Sequence, residues 1–158
     1  MDLLDRLLGH DVWTTRQLLL LSEELTDEQL DREFDIAHRT VRATFAHIIR
    51  NLEAWSDCMS GQPIRDKQGE SIPEFLARLD RAGDDFAGLS KAVADRDGWD
   101  ETWVDPLDGK QRTYGGTIAH VITHSMHHRA QLLYMLRRLG VEELPEGDVL
   151  SWERGQRA

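Results

Sequence analysis

A chain of 158 residues, 40% hydrophobic and 30% charged, is long enough to bury a core and reads as one soluble globular domain spanning 1–158. Its 29 acidic side chains outweigh 19 basic ones, and the net charge of −10 argues against nucleic acid and against an anionic membrane surface as partners. The lone cysteine, Cys58, excludes an internal disulfide and fits a reducing, cytoplasmic setting.

The opening MDLLDRLL has no basic stretch before an apolar core, so no signal peptide is expected, and no apolar run approaches the length that spans a bilayer. Residues 2–25 read as a first helix, with Leu4, Leu7, Leu8, Val12, Leu18, Leu19 and Leu25 on a broad apolar face. Asp11 projects into that face and, if buried, needs a partner. Residues 26–35 are polar and predict a connection with a short helical turn.

A second helix is expected over 40–60, closed by Gly61 and Gln62-Pro63. Val41, Phe45, Ile48, Ile49, Leu52, Trp55 and Met59 form its core stripe, and Arg42, Arg50, Glu53 and Asp57 its solvated arc. His47 belongs to neither set and sits on the margin, near Asn51 and Ala54. Cys58 lies roughly 16 Å further along the axis and reads as a small buried hydrophobe.

Ser71-Ile72-Pro73-Glu74 is a capping box that opens a third helix over 71–94. Phe75, Leu76, Leu79, Phe86, Leu89 and Val93 face inward, while Arg78, Asp80, Arg81, Asp84 and Lys91 are expected on a solvated face. Residues 99–114 carry a turn signal at Pro106 to Gly109 and predict a short hairpin or extended loop. Gly115-Gly116 is read as a hinge into a fourth helix over 116–139, which Gly140 closes. The tail has no clear period: Trp152 is expected to dock it, and the last residues to fray. Four long amphipathic helices and one early long connection predict an all-α four-helix bundle, whose sites are built from side chains on facing helices.

The fourth helix carries the chemistry. Four of the seven histidines, His120, His124, His127 and His128, fall within nine residues of it. At about 100° per residue, His120, His124 and His128 climb one face about 40° apart, with His127 on the flank. Imidazoles four residues apart can address one metal ion. His47 with His124 and His128 makes a three-histidine site that leaves a divalent ion one open position. Such an ion lowers the pKa of a bound water or thiol. All-nitrogen ligation suits Zn, Ni, Cu or Fe. His120 and His127 are then pocket residues, candidates for proton relay or ligand orientation. Arg129 falls near the centre of the apolar arc of this helix, where it pairs with a buried carboxylate such as Asp11 or binds an anionic group of a substrate. No Glu-x-x-His pair, HExxH, CxxC, Walker loop or GxSxG is present, and nothing marks a serine as a nucleophile.

Three stretches, HDVWTTRQLLLLSEELTDEQL, RTVRATFAHIIRNLEAWSDCMSG and above all TIAHVITHSMHHRAQL, resemble the DinB-like superfamily of metal-dependent enzymes, which includes the YfiT-type proteins and is distinct from the DNA polymerase of similar name. The resemblance implies His47, His124 and His128 as metal ligands, an up-down-down-up bundle and a homodimer. Ala130 stands where many members carry glycine. Relatives of known role imply a transferase or isomerase that uses a low-molecular-weight thiol as cofactor and a small-molecule substrate, with Zn or Ni as the metal; a hydrolase is the other enzymatic expectation. The alternative is a non-catalytic module that binds metal or a small ligand in a stress response.

Overall fold

The computed structural model describes residues 1–157 and is mostly helical, with six helices and one small two-stranded sheet among the described residues. The elements are α1 (Leu3–Leu21), α2 (Asp27–Leu30), α3 (Val41–Met59), α4 (Ile72–Asp95), β1 (Thr102–Val104), β2 (Gln111–Thr113), α5 (Tyr114–Arg138) and α6 (Val149–Arg157).

Local chemistry sets the helix starts. Asp2 and Asp5 form a reciprocal capping box at α1, as Ser71 and Glu74 do at α4, and Thr40 caps α3 through the Ala43 amide. α1 ends at Leu21, earlier than expected at 25, where the bonding shifts to a tighter pattern: the Ser22, Glu23 and Leu25 amides donate to the carbonyls three residues back, of Leu19, Leu20 and Ser22. Leu25 still packs on the core from outside the helix. The short helical turn expected in the connection is α2.

β1 and β2 pair antiparallel, with Trp103 opposite Arg112, so the hairpin expectation is met. Gly115-Gly116 is not a hinge. Thr113 caps α5 directly, and both glycines lie in its first turn. The Gly115 amide donates to the Trp99 carbonyl at 2.9 Å, and a Cβ at this position would stand 3.0 Å from that same oxygen. The tail is also more ordered than its pattern suggests. Residues 149–157 form α6, and Trp152 is buried against α1 at Gly9; Ala158 lies outside the described residues.

α1 packs on α4 and α5, and α3 packs on the same two helices. Phe45, Phe75, Phe86, Leu18, Leu19, Leu132 and Leu136 fill the centre, each contributing about 1.5–3 kcal/mol on full burial. Glu53, Asp57 and Arg78, expected on solvated faces, are buried instead. Arg78 donates from Nε and Nη2 to the two carboxylate oxygens of Glu53 at 2.8 and 2.9 Å, and from Nη1 to the Gly69 carbonyl. Arg65 likewise grips Asp57 through Nε and Nη2. Forked, charge-assisted bonding is what allows these charges to leave water. Among the described residues, no helix is long and apolar enough to cross a membrane.

Candidate functional site

The histidine row on α5 descends into the seam with α3. His120 is exposed, His124 half-buried and His128 buried at 5% exposure. The descent follows from the apolar residues on the neighbouring arc, since Val121, Ile122, Leu132 and Leu136 must face the core. Across the seam, the stripe of Phe45, Ile48 and Ile49 on α3 leaves His47 half-buried at its edge.

His47 Nε2 lies 2.9 Å from His124 Nε2, and His128 Nε2 lies 3.0 Å from that same atom. Three ring nitrogens therefore converge. A tetrahedral ion with bonds of about 2.0–2.1 Å holds its ligand atoms about 3.3 Å apart, close to this spacing. The Gln131 side-chain oxygen accepts from His128 Nδ1 at 2.7 Å, which turns the lone pair of Nε2 toward the other two rings. Asn51 Nδ2 lies 3.1 Å from the same His47 Nε2, so in the metal-free site this amide occupies the one lone pair that an ion would take.

A fourth imidazole joins them. His38, in the connection between α2 and α3, stacks on His47 with ring centroids 3.9 Å apart and lies 4.9 Å from the His128 ring. Ring nitrogens of His38, His47 and His128 lie within 4.8 Å of one another, a set that could hold a metal ion. Nothing in the sequence pattern isolates His38. It is placed by a turn in which Ala37 and Arg39 both take positive φ, a conformation that non-glycine residues seldom signal in advance. Gln131 and Asn51 were also not anticipated, although each lies within one helical turn of a candidate ligand.

The site disfavours protons. Burial lowers the pKa of His47 to about 4, helped by the neighbouring His38, His128 and His124. Burial likewise holds His124 and His128 below the ordinary imidazole value; the Gln131 bond partly opposes this at His128. Neutral imidazole is the ligating form, so these groups need shed no proton near neutral pH to receive a cation.

His120 stacks on His124 at 5.0 Å and stands edge-on to Trp55 at 5.8 Å. With Trp55, Gln111, Arg112 and Thr117 it lines an open cleft of about 490 Å³ beside the histidine cluster. His127 is exposed, 5.3 Å from the His128 ring, and its Nε2 contacts the Gln131 amide at 3.1 Å. The seventh histidine, His10, is apart from the cluster and bonds the Gly147 carbonyl.

Arg129 is 2% exposed and donates to Asp11 on α1 at 2.5 Å, making a structural ion pair. Desolvation nevertheless pushes the Asp11 carboxyl up, against the pull of the guanidinium. Cys58 is buried, which raises its thiol pKa and suits a packing role. Ala130 is exposed, so its methyl group crowds no neighbouring helix.

The DinB family model matches residues 1–156 of the chain. No curated protein matches it.

Proposed function

The chain belongs to the DinB family, and on that premise we propose that His47, His124 and His128 hold a divalent transition metal, Zn or Ni, at the centre of a metal-dependent enzyme. The observation that carries this reading is the convergence of their three Nε2 atoms at 2.9 and 3.0 Å, all on imidazoles held neutral by burial. The donor set suits such an ion, and a bound metal would supply Lewis acidity together with an acidified water or thiol. Gln131 orients His128 through Nδ1 and leaves its Nε2 free for the ion.

The reaction class proposed is transfer to or from a low-molecular-weight thiol, with hydrolysis as the second enzymatic reading. The only cysteine is buried on α3, eleven residues from His47, so a thiol nucleophile must come from outside the chain. The cleft beside His120 gives a small-molecule substrate an aromatic wall at Trp55 and polar partners at Gln111, Arg112 and Thr117. His120 and His127 are the proposed proton-handling or orienting groups, since both reach solvent at the edge of the site.

A non-catalytic metal- or ligand-binding module, for example in a stress response, is the second reading. The nearness of His38 favours it, because a fourth protein nitrogen could saturate the ion.

One domain spans 1–158, in which α1, α3, α4 and α5 form an up-down-down-up four-helix bundle. Contact order supports this: Phe45 meets Phe75 and Glu53 meets Arg78 in the same direction along α3 and α4, whereas Asp5 pairs with Lys91 and Arg16 with Asp80 in opposite directions along α1 and α4. A cytoplasmic homodimer is the proposed state in the cell.

Elemental analysis of tag-free protein beside His47→Ala, His124→Ala and His128→Ala tests the centre. Near one equivalent of a transition metal, lost in each variant, is expected; a protein that takes up neither Zn nor Ni at micromolar levels ends the metalloenzyme reading. Electrophile-dependent loss of free thiol, absent in His128→Ala, identifies transfer. Ester or amide cleavage without thiol identifies hydrolysis.

A further inference from the structure

His38 differs from the other converging imidazoles in how it is held. The other three ride on long helices packed into the core, and His128 and His47 are each met by a neighbouring amide. His38 rides on a short turn. Ala37 and Arg39, on either side of it, have φ of 36° and 70°, in the left-handed region that side chains other than glycine rarely occupy. The turn is fastened from behind by backbone bonds, with the Phe34 amide donating to the Arg39 carbonyl at 2.7 Å and the Arg39 amide to the Ile36 carbonyl at 2.8 Å. The buried ring of Phe34 anchors it.

Among the described residues, neither ring nitrogen of His38 has a protein hydrogen-bond partner, although the imidazole is half-buried and stacked on His47. Its nitrogens are therefore free to take a ligand without first breaking a bond to the protein. Its ring nitrogen stands within 4.8 Å of those of His47 and His128, outside the hydrogen-bond contacts that join the other three imidazoles.

We propose that His38 is a displaceable fourth nitrogen donor of the histidine site, presented by the strained turn between Ala37 and Arg39. The inference rests on the metal reading of His47, His124 and His128. With His38 engaged, the site is closed by four imidazoles. With it released, the three helix-borne histidines leave one position open. An incoming ligand must therefore outcompete a tethered imidazole at high effective concentration. That selects against water and for strong, soft donors, and a small thiolate is the substrate chemistry that meets the requirement at a Zn, Ni or Co ion. The arrangement reconciles a saturated resting site with an enzyme.

Cobalt(II) titrations of the full chain test this, with free imidazole and 2-mercaptoethanol as probes and visible absorption as the readout. Wild type, His38→Ala and His38→Phe are compared; the phenylalanine keeps a ring stacked on His47 without a donor, should alanine unfold the turn. All three are expected to bind one equivalent of cobalt, with the two variants showing a changed absorption band. If His38 occupies the fourth position about nine-tenths of the time, removing it tightens binding of added imidazole about ten-fold. Unchanged spectra and unchanged imidazole affinity in variants that hold cobalt overturn the role of His38 while leaving the metal site standing. A wild-type spectrum that neither probe alters, beside variants that respond, shows a permanent ligand and overturns displacement. Failure of wild type to bind cobalt overturns the metal reading and this inference together.

Discussion

Burial holds His47 down to about 4 and keeps His124 and His128 below their ordinary value, so the folded chain resists protons that its unfolded form accepts. A histidine with a depressed folded pKa contributes stability that is present above its unfolded value and is lost as pH falls through the folded one. The urea midpoint of metal-free protein should therefore decline as the pH is lowered from about 6.5 toward 4, and the decline should be shallower in His47→Gln. A midpoint that is flat across this window contradicts the burial argument. Gln131 acts at the same scale, by holding His128 Nδ1 at 2.7 Å. Its replacement by leucine should weaken metal affinity by about 10–100-fold with the fold intact, as measured by competition with a chelator. The row of His124 and His128 along one arc of α5 and the place of His47 at the margin of α3 were legible in the sequence, because helical spacing places each residue on its own helix. His38 was not, because its position depends on two left-handed residues that no pattern marks.

Between elements, the buried Glu53–Arg78 pair ties α3 to α4 with each partner at 4% side-chain exposure or less. Glu53→Leu should cost about 3–5 kcal/mol in chemical denaturation, because it leaves a guanidinium buried without its carboxylate. Adding Arg78→Met should recover most of the loss; equal stability of the single and double variants would falsify the pairing argument. Both residues were misread from the sequence as solvated. A charge at the edge of a helical stripe looks the same whether the neighbouring helix covers it or not, and only the closeness of α4 decides. Gly9 shows the converse: a Cβ there would lie 2.6 Å from the Trp152 ring. Gly9→Val should lift α6 from α1, seen as faster proteolysis within residues 141–148 at little change in helix content.

At the scale of the molecule, the histidine cluster joins α5 to α3 and to the connection that leads into α3, with His124 77 residues along the chain from His47. An ion bound there stabilises the folded state only, and at one hundred times its dissociation constant adds about 2.7 kcal/mol. Melting of wild type with and without Zn should show the gain, and His124→Ala should abolish it. An equal rise in both proteins would place the ion elsewhere. The acidic surface, with net charge −10, draws cations toward the molecule in general, so the comparison with the variant is what isolates the site.

The mostly helical character, the four long helices, the hairpin before the last of them and the row of histidines along α5 were determined by the sequence itself. Each rests on periodicity, caps and turn residues, which act over a few neighbouring positions. The tertiary structure alone decided that Glu53, Asp57 and Arg78 go inside, that the tail becomes α6, and that His38 closes on His47. These outcomes turn on which surfaces meet, and burial, left-handed turns and ion pairing across helices are set by contacts between residues far apart in the chain.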